Sequence, residues 1–163
     1  MTRQISGLEW ARPAPRPQGI PIGRPRGAKL AGLRYERGLA AEMPAAKHGQ
    51  WFEYRDQAGA GVCQTDLLLG RDGRCLILEV KYTWTIEGHR QLEALYRPVV
   101  EAAIERETLG IVVCRRLVEG MKGVEVARSL EEAVEMALGG RRTAWHWLGP
   151  RSGLIEVPRL RAA

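Results

Sequence analysis

Three charged residues at fixed spacing carry the first chemical signal: Asp66, then Glu79 and Lys81 flanking Val80. Two β-rich runs, VCQTDLLLG and CLILEVKY, are joined by Arg71-Asp72-Gly73-Arg74. An Asp-Gly pair between such runs predicts a tight hairpin. With Asp72 and Gly73 as the turn, Arg71 faces Arg74, Leu69 faces Leu76, Asp66 faces Glu79 and Gln64 faces Lys81. The four polar residues then share one sheet face, and Leu67, Leu69, Leu76, Leu78 and Val80 take the other. A bulge or local twist near Leu68 is expected to reconcile the two sets, which leaves the register open by one residue. Two facing carboxylates repel, and apolar surroundings desolvate them as well. A cation relieves both costs. Lys81 is one such cation, and a divalent ion that prefers hard oxygen ligands, Mg²⁺ or Mn²⁺, is the other. A solvent-facing ion network of the same residues is the alternative, and the very apolar strand LILEVKY argues against it.

Other elements must position these groups. Residues 28–43 read as a helix that stops at Pro44. On it Glu36 stands beside Leu33, Ala40 and Met43 at helical spacing, so its side chain can border an apolar stripe. QWFEYRD (50–56) alternates as a strand, and AGAG (58–61) reads as a turn. Residues 89–104 put Leu92, Leu95, Tyr96, Val99, Ala103 and Ile104 on one helical stripe, with Pro98 expected to kink or end it. LGIVVCR (109–115) reads as a buried strand, and Ser129 with Glu132 forms a capping box opening a helix to about Leu138. TAWHWLG and LIEVPRL read as short strand pieces or loop. This order predicts an α/β chain, with α+β as the variant, built on a central mixed sheet.

Composition narrows the classes. The chain has 163 residues, 45% hydrophobic and 27% charged, which suits one globular domain. No apolar run approaches the ~20 residues of a membrane span, and the first residues lack a secretory pattern, so a cytoplasmic protein is expected. Cys63, Cys75 and Cys114 read as reduced core residues. The net charge of +6 resides in residues 1–34, where seven basic residues meet the single acid Glu9. Residues 1–27 hold five of the nine prolines and predict a basic, flexible arm ahead of one domain over 28–163. A concentrated, arginine-rich charge favours a nucleic-acid partner.

The pattern Thr65-Asp66, twelve residues, then Glu79-Val80-Lys81 resembles the core motif of the PD-(D/E)xK nuclease superfamily, with Thr65 where proline often stands. Arg34-Tyr35-Glu36-Arg37 resembles the helix glutamate of archaeal-type Holliday-junction resolvases. The resemblance spans about residues 29–115. It implies a restriction-endonuclease-like core and Mg²⁺-dependent hydrolysis of DNA phosphodiester bonds, with Mn²⁺ able to substitute. It also implies that Asp66, Glu79 and the Val80 carbonyl hold the metal, that Glu36 completes the shell, and that Lys81 orients the attacking water or stabilises developing charge. Arg24, Arg26, Lys29, Arg34, Gln64, Trp84 and Gln91 are the candidate DNA contacts. For Gln64 a packing role is the alternative, as it is for Trp84; Tyr96 reads as core and His89 as a surface residue. The first-choice substrate is the four-way junction or other branched DNA, cut by a homodimer whose seam is either the Trp145/Trp147 segment or the helix from Leu92 to Ile104. A phage- or restriction-type nuclease of other substrate geometry, and a non-catalytic nucleic-acid-binding protein of nuclease-like fold, are the alternatives.

Overall fold

A computed structural model describes residues 3–20 and 23–149; LIEVPRL lies outside the described residues. The chain runs β1 (Trp10–Ala14), α1 (Gly27–Glu42), β2 (Lys47–His48), β3 (Trp51–Asp56), β4 (Gly59–Gln64), β5 (Leu67–Arg71) and β6 (Arg74–Thr83). It continues with α2 (Ile86–Gln91), a π-helical turn (Leu92–Tyr96), α3 (Arg97–Ile104), β7 (Thr108–Arg116), β8 (Glu125–Ala127), α4 (Leu130–Leu138) and β9 (Thr143–His146). The architecture is α/β: a mixed six-stranded sheet in the order β2-β5-β6-β7-β9-β8, flanked by helices, and a three-stranded sheet β1-β3-β4.

The β5–β6 hairpin turns at Asp72 and Gly73, both at positive φ (50° and 77°), as a two-residue hairpin turn demands. Its ladder pairs Arg71 with Arg74, Leu69 with Leu76 and Leu67 with Leu78 without a break. The expected bulge near Leu68 is therefore absent, because residues directly opposite each other share a face and the two sets need no reconciling. Leu67, Leu76, Leu78 and Val80 pack with Tyr35 and Leu39 of α1 and with Ala133 and Val134 of α4. Leu68, Cys75 and Ile77, on the opposite face, pack with Leu92, Tyr96, Val99 and Val100 and with Phe52 and Tyr54 of the small sheet. Each fully buried side chain of this kind contributes about 1.5–3 kcal/mol, so the sheet is anchored from both sides. From β6 the chain crosses through α2 and α3 into β7, which lies parallel to β6.

Two expectations are corrected here. AGAG is not a turn: Gly59, Ala60 and Gly61 lie in β4, and the turn falls at Gln57 and Ala58. Residues 10–14 are not a flexible arm, since β1 pairs along its full length with β3 from Trp10–Arg55 to Ala14–Trp51. An edge position explains how β1 tolerates Pro13, whose missing N–H interrupts no interior ladder. The N-terminal segment is pinned further. Pro98 has no N–H to give to the carbonyl of Ala94 four residues back, and the Ile5 N–H donates to that carbonyl instead, at 2.9 Å. The π-helical turn ends at Tyr96, two residues before this proline, and the helix runs on through Pro98 as α3 instead of ending there. At α4 the Ser129 hydroxyl accepts from the Glu132 N–H at 3.1 Å, as the capping pattern predicts.

Candidate active site

β4 and β5 belong to different sheets, and the chain crosses between them at Thr65 and Asp66. The crossing is tied on both sides: the Thr65 N–H donates to Gln50 O at 3.0 Å, and the Asp66 carbonyl accepts from the Gly49 N–H at 2.8 Å. Asp66 thus stands immediately before β5, beside the middle of β6. The ladder stops at Leu67–Leu78, so Asp66 is not Glu79's ladder partner. Its Oδ2 instead accepts from the Val80 N–H at 2.7 Å. Val80 therefore meets the site through its amide.

Glu79 and Lys81 follow on the same face of β6. Glu79 is 2% exposed, deep for a carboxylate. Its Oε1 is 2.6 Å from Lys81 Nζ, while its Oε2 is buried without a hydrogen-bond partner. Lys81 Nζ also donates to Gln91 Oε1 at 2.9 Å, which brings the α2 residue into the site. Glu36 reaches the group from α1, and its Oε1 lies 2.6 Å from His48 Nε2 on β2. Burial, then the nearby charges of Glu79 and Glu36, hold the Asp66 carboxyl well above the usual carboxylate range. Burial does the same to Glu79, and Glu36 adds to it, with Lys81 opposing. Glu36 is thus close enough to act on both Asp66 and Glu79. Tyr96 is buried in the core as expected, and its phenol is raised first by burial and then by Glu79 and Asp66.

A cleft of about 820 Å³ opens onto Asp66, lined among others by Glu36, Arg37, His48, Trp51 and Gln64, with Arg16 on the N-terminal segment. Gln64 lines it without facing Lys81. The change of sheet puts Gln64 opposite Trp51, and its Nε2 donates to Gly49 O at 3.2 Å. Arg24, Arg26, Lys29 and Arg34 are exposed, but none lines this cleft. The cations that do are Arg16 and Arg37, and neither stood out from spacing alone. His48 was also missed: a histidine before a glycine has no distinguishing pattern, and only the fold carries it to Glu36.

Other expectations fail for one shared reason, burial. Trp84 is 8% exposed within the core that includes Tyr96 and Val100, so its indole has no face free for a base. His89 is not a surface residue; it is buried, and desolvation with nearby Arg142 lowers it to about 4. Both expected dimer seams are partly covered. Trp145 is buried, Trp147 packs 5.1 Å from the Tyr35 ring, and Leu92, Val99 and Val100 face the sheet.

Among the described residues, no group of three or more His, Cys, Asp or Glu side chains is gathered to hold a metal ion. Glu36 is drawn to His48 and Glu79 to Lys81. The donor set nonetheless fits a hard divalent cation. Burial, with Glu36 adding to it, holds both carboxyls above their usual range, and Glu79 Oε2 has no hydrogen-bond partner among the described residues. Asp66 and Glu79 would hold such an ion, with Glu36 joining once freed from His48.

No helix among the described residues is long and apolar enough to cross a membrane. Comparison with protein-family models, curated proteins and solved structures finds no match for this chain.

Proposed function

We propose that the chain is a Mg²⁺-dependent DNA endonuclease, acting by preference on branched DNA such as four-way junctions and working as a homodimer. The observation that carries the reading is the meeting of Asp66, Glu79 and Lys81, with Asp66 lining an open cleft and both carboxylates buried against their charge. Folding gains nothing from such a pair, because an apolar residue of like volume would cost less. The order of helix, antiparallel strands, helix and parallel strand around the motif supports the likeness to PD-(D/E)xK nucleases.

Each side chain has a definable task. The Val80 amide fixes the orientation of Asp66, and Glu79 and Gln91 together aim the Lys81 ammonium. Held from two sides, Lys81 is placed to orient a water toward phosphorus or to donate to a phosphoryl oxygen as charge builds there. A hard divalent cation, when bound, supplies charge neutralisation at the phosphate and a lower pKa for water. Arg16 and Arg37 at the cleft give the approaching backbone counter-charge.

The test is cleavage of linear duplex, single-stranded, flap and four-way DNA side by side in Mg²⁺ and in EDTA. Incision in Mg²⁺ that is strongest on the branched substrates and disappears in EDTA is expected. Full cleavage in EDTA would refute the metal-dependent reading, and equal cutting of linear and branched DNA would remove the junction preference.

A further inference from the structure

The small sheet has two unlike faces. Its inner face carries Ala11, Phe52, Tyr54 and Cys63 into the core. Strand alternation sends Trp10, Arg12, Glu53, Arg55 and Val62 to the other side. That face is open: Trp10 is 41% and Val62 49% exposed, and Arg55 is exposed too. Trp10 and Val62 add nothing to this core and leave a π-face and apolar surface open beside Arg55. Arg12 lies over the Trp10 ring at 5.6 Å and pairs with Glu53, the one acid among these outward residues. Arg55 makes no ion pair among the described residues.

The face is also continuous with the cleft. Ala14 and Trp51, the last cross-strand pair of β1 and β3, line the cleft beside Asp66, as does Gln64 at the end of β4. Trp10 and Trp51 therefore stand at opposite ends of the sheet, about 13 Å apart along the strands, and only the second reaches the catalytic cleft.

We infer that the outer face of the β1-β3-β4 sheet is a track for single-stranded DNA, with bases stacking on Trp10 and phosphates meeting Arg55 and Arg16, that leads the strand toward Asp66. This rests on the proposed nuclease reading and, among its branched substrates, points to those with an unpaired strand next to the scissile bond, such as a flap, ahead of a fully paired four-way junction. Stacking on an exposed indole needs an unpaired base, and arginines beside it suit the phosphates that follow each base. A paired duplex presents no free base to Trp10.

The test measures binding apart from cleavage. Asp66→Asn protein in EDTA is titrated with an oligothymidine of about 12 nucleotides and with a blunt duplex of the same length, following tryptophan fluorescence and anisotropy. Quenching by the single strand is expected, with Trp10→Ala weakening its affinity about tenfold, in the range of one lost stack. Arg55→Ala, which removes no packing, is expected to weaken binding and to lower the log–log salt slope by about 0.7. Unchanged affinity and slope in Arg55→Ala, or equal binding of the duplex with equal losses, would overturn the track. If wild type binds the single strand through Trp10 and Arg55 yet cuts no DNA, the nuclease reading falls and the track stands. If it cuts DNA and both variants bind as before, the reverse holds.

Discussion

Two buried carboxylate sites in this chain behave in opposite ways. Asp56, 1% exposed at the end of β3, accepts from the Arg3 guanidinium and from the Ala58 N–H. Those donors, Arg3 first, hold its carboxyl below the usual range. Asp66 and Glu79 are held above it, first by burial, with Glu36 adding to both and Glu79 to Asp66. Both sites are buried, and donors outweigh that burial at Asp56 but not at Asp66 and Glu79. At Asp56 the surrounding groups are donors that fasten the N-terminal segment to the small sheet. At Asp66 the surrounding groups are further acids, an arrangement that a fold retains for what it binds.

The largest effect expected from this contrast is on cleavage. Asp66→Asn and Glu79→Gln should each lower DNA cleavage at least a thousandfold, roughly 4 kcal/mol in the barrier, with the thermal midpoint in metal-free buffer unchanged or raised. A variant that cuts within about tenfold of wild type would break the contrast on the functional side.

On the structural side, removal of residues 1–14 should lower the thermal midpoint and the cooperativity of unfolding. It deletes β1, the Arg3–Asp56 pair and the Ile5 bond to Ala94 together. Arg3→Ala should reproduce part of the loss, because it leaves Asp56 buried without its main partner. An unchanged midpoint in the deletion, read by circular dichroism, would return this segment to the status of an arm.

Titration sharpens the same comparison. Asp66 and Glu79 have raised folded values, so the stability they contribute is present below the ordinary carboxyl range, near pH 4, and is lost as pH rises toward their folded values. Metal-free wild type should therefore gain less stability between pH 5 and 8 than Asp66→Asn, which has one fewer raised carboxyl to ionise. Matching profiles in chemical denaturation would show that the carboxylates carry no strain.

His89 gives the smallest effect. Its folded value is lowered to about 4, so its stability contribution is full above about 6.5 and is lost as pH falls through that window. His89→Gln should flatten the acid limb of the stability profile between those limits. An acid limb identical to wild type would place His89 outside the linkage.

Local signals made much of this legible. The Asp-Gly turn set the β5–β6 register and Ser129 marked the start of α4, whereas the helical run continues past Pro98 to Ile104, with a π-helical turn ahead of the proline in place of an end. The meeting of Asp66, Glu79 and Lys81 followed from that one turn. What escaped was non-local. β1 exists because β3 offers it a partner, and propensity in a proline-rich stretch argues the other way. Gln64 belongs to the other sheet because the chain crosses at Thr65, a change with no signature in a run of strand formers. Trp84 and His89 have residue types common at surfaces and sites, and only packing decides that both are buried.

The most direct test of the central claim, that Asp66 and Glu79 form a cation site, is calorimetric titration of Mn²⁺ into wild type and Glu79→Gln at neutral pH, repeated in two buffers of different protonation enthalpy. Wild type is expected to bind and to release protons, because carboxyls held above their usual range must ionise to ligate. Glu79→Gln is expected to bind far more weakly. Binding of equal strength in both proteins, or no binding to either, would contradict the claim.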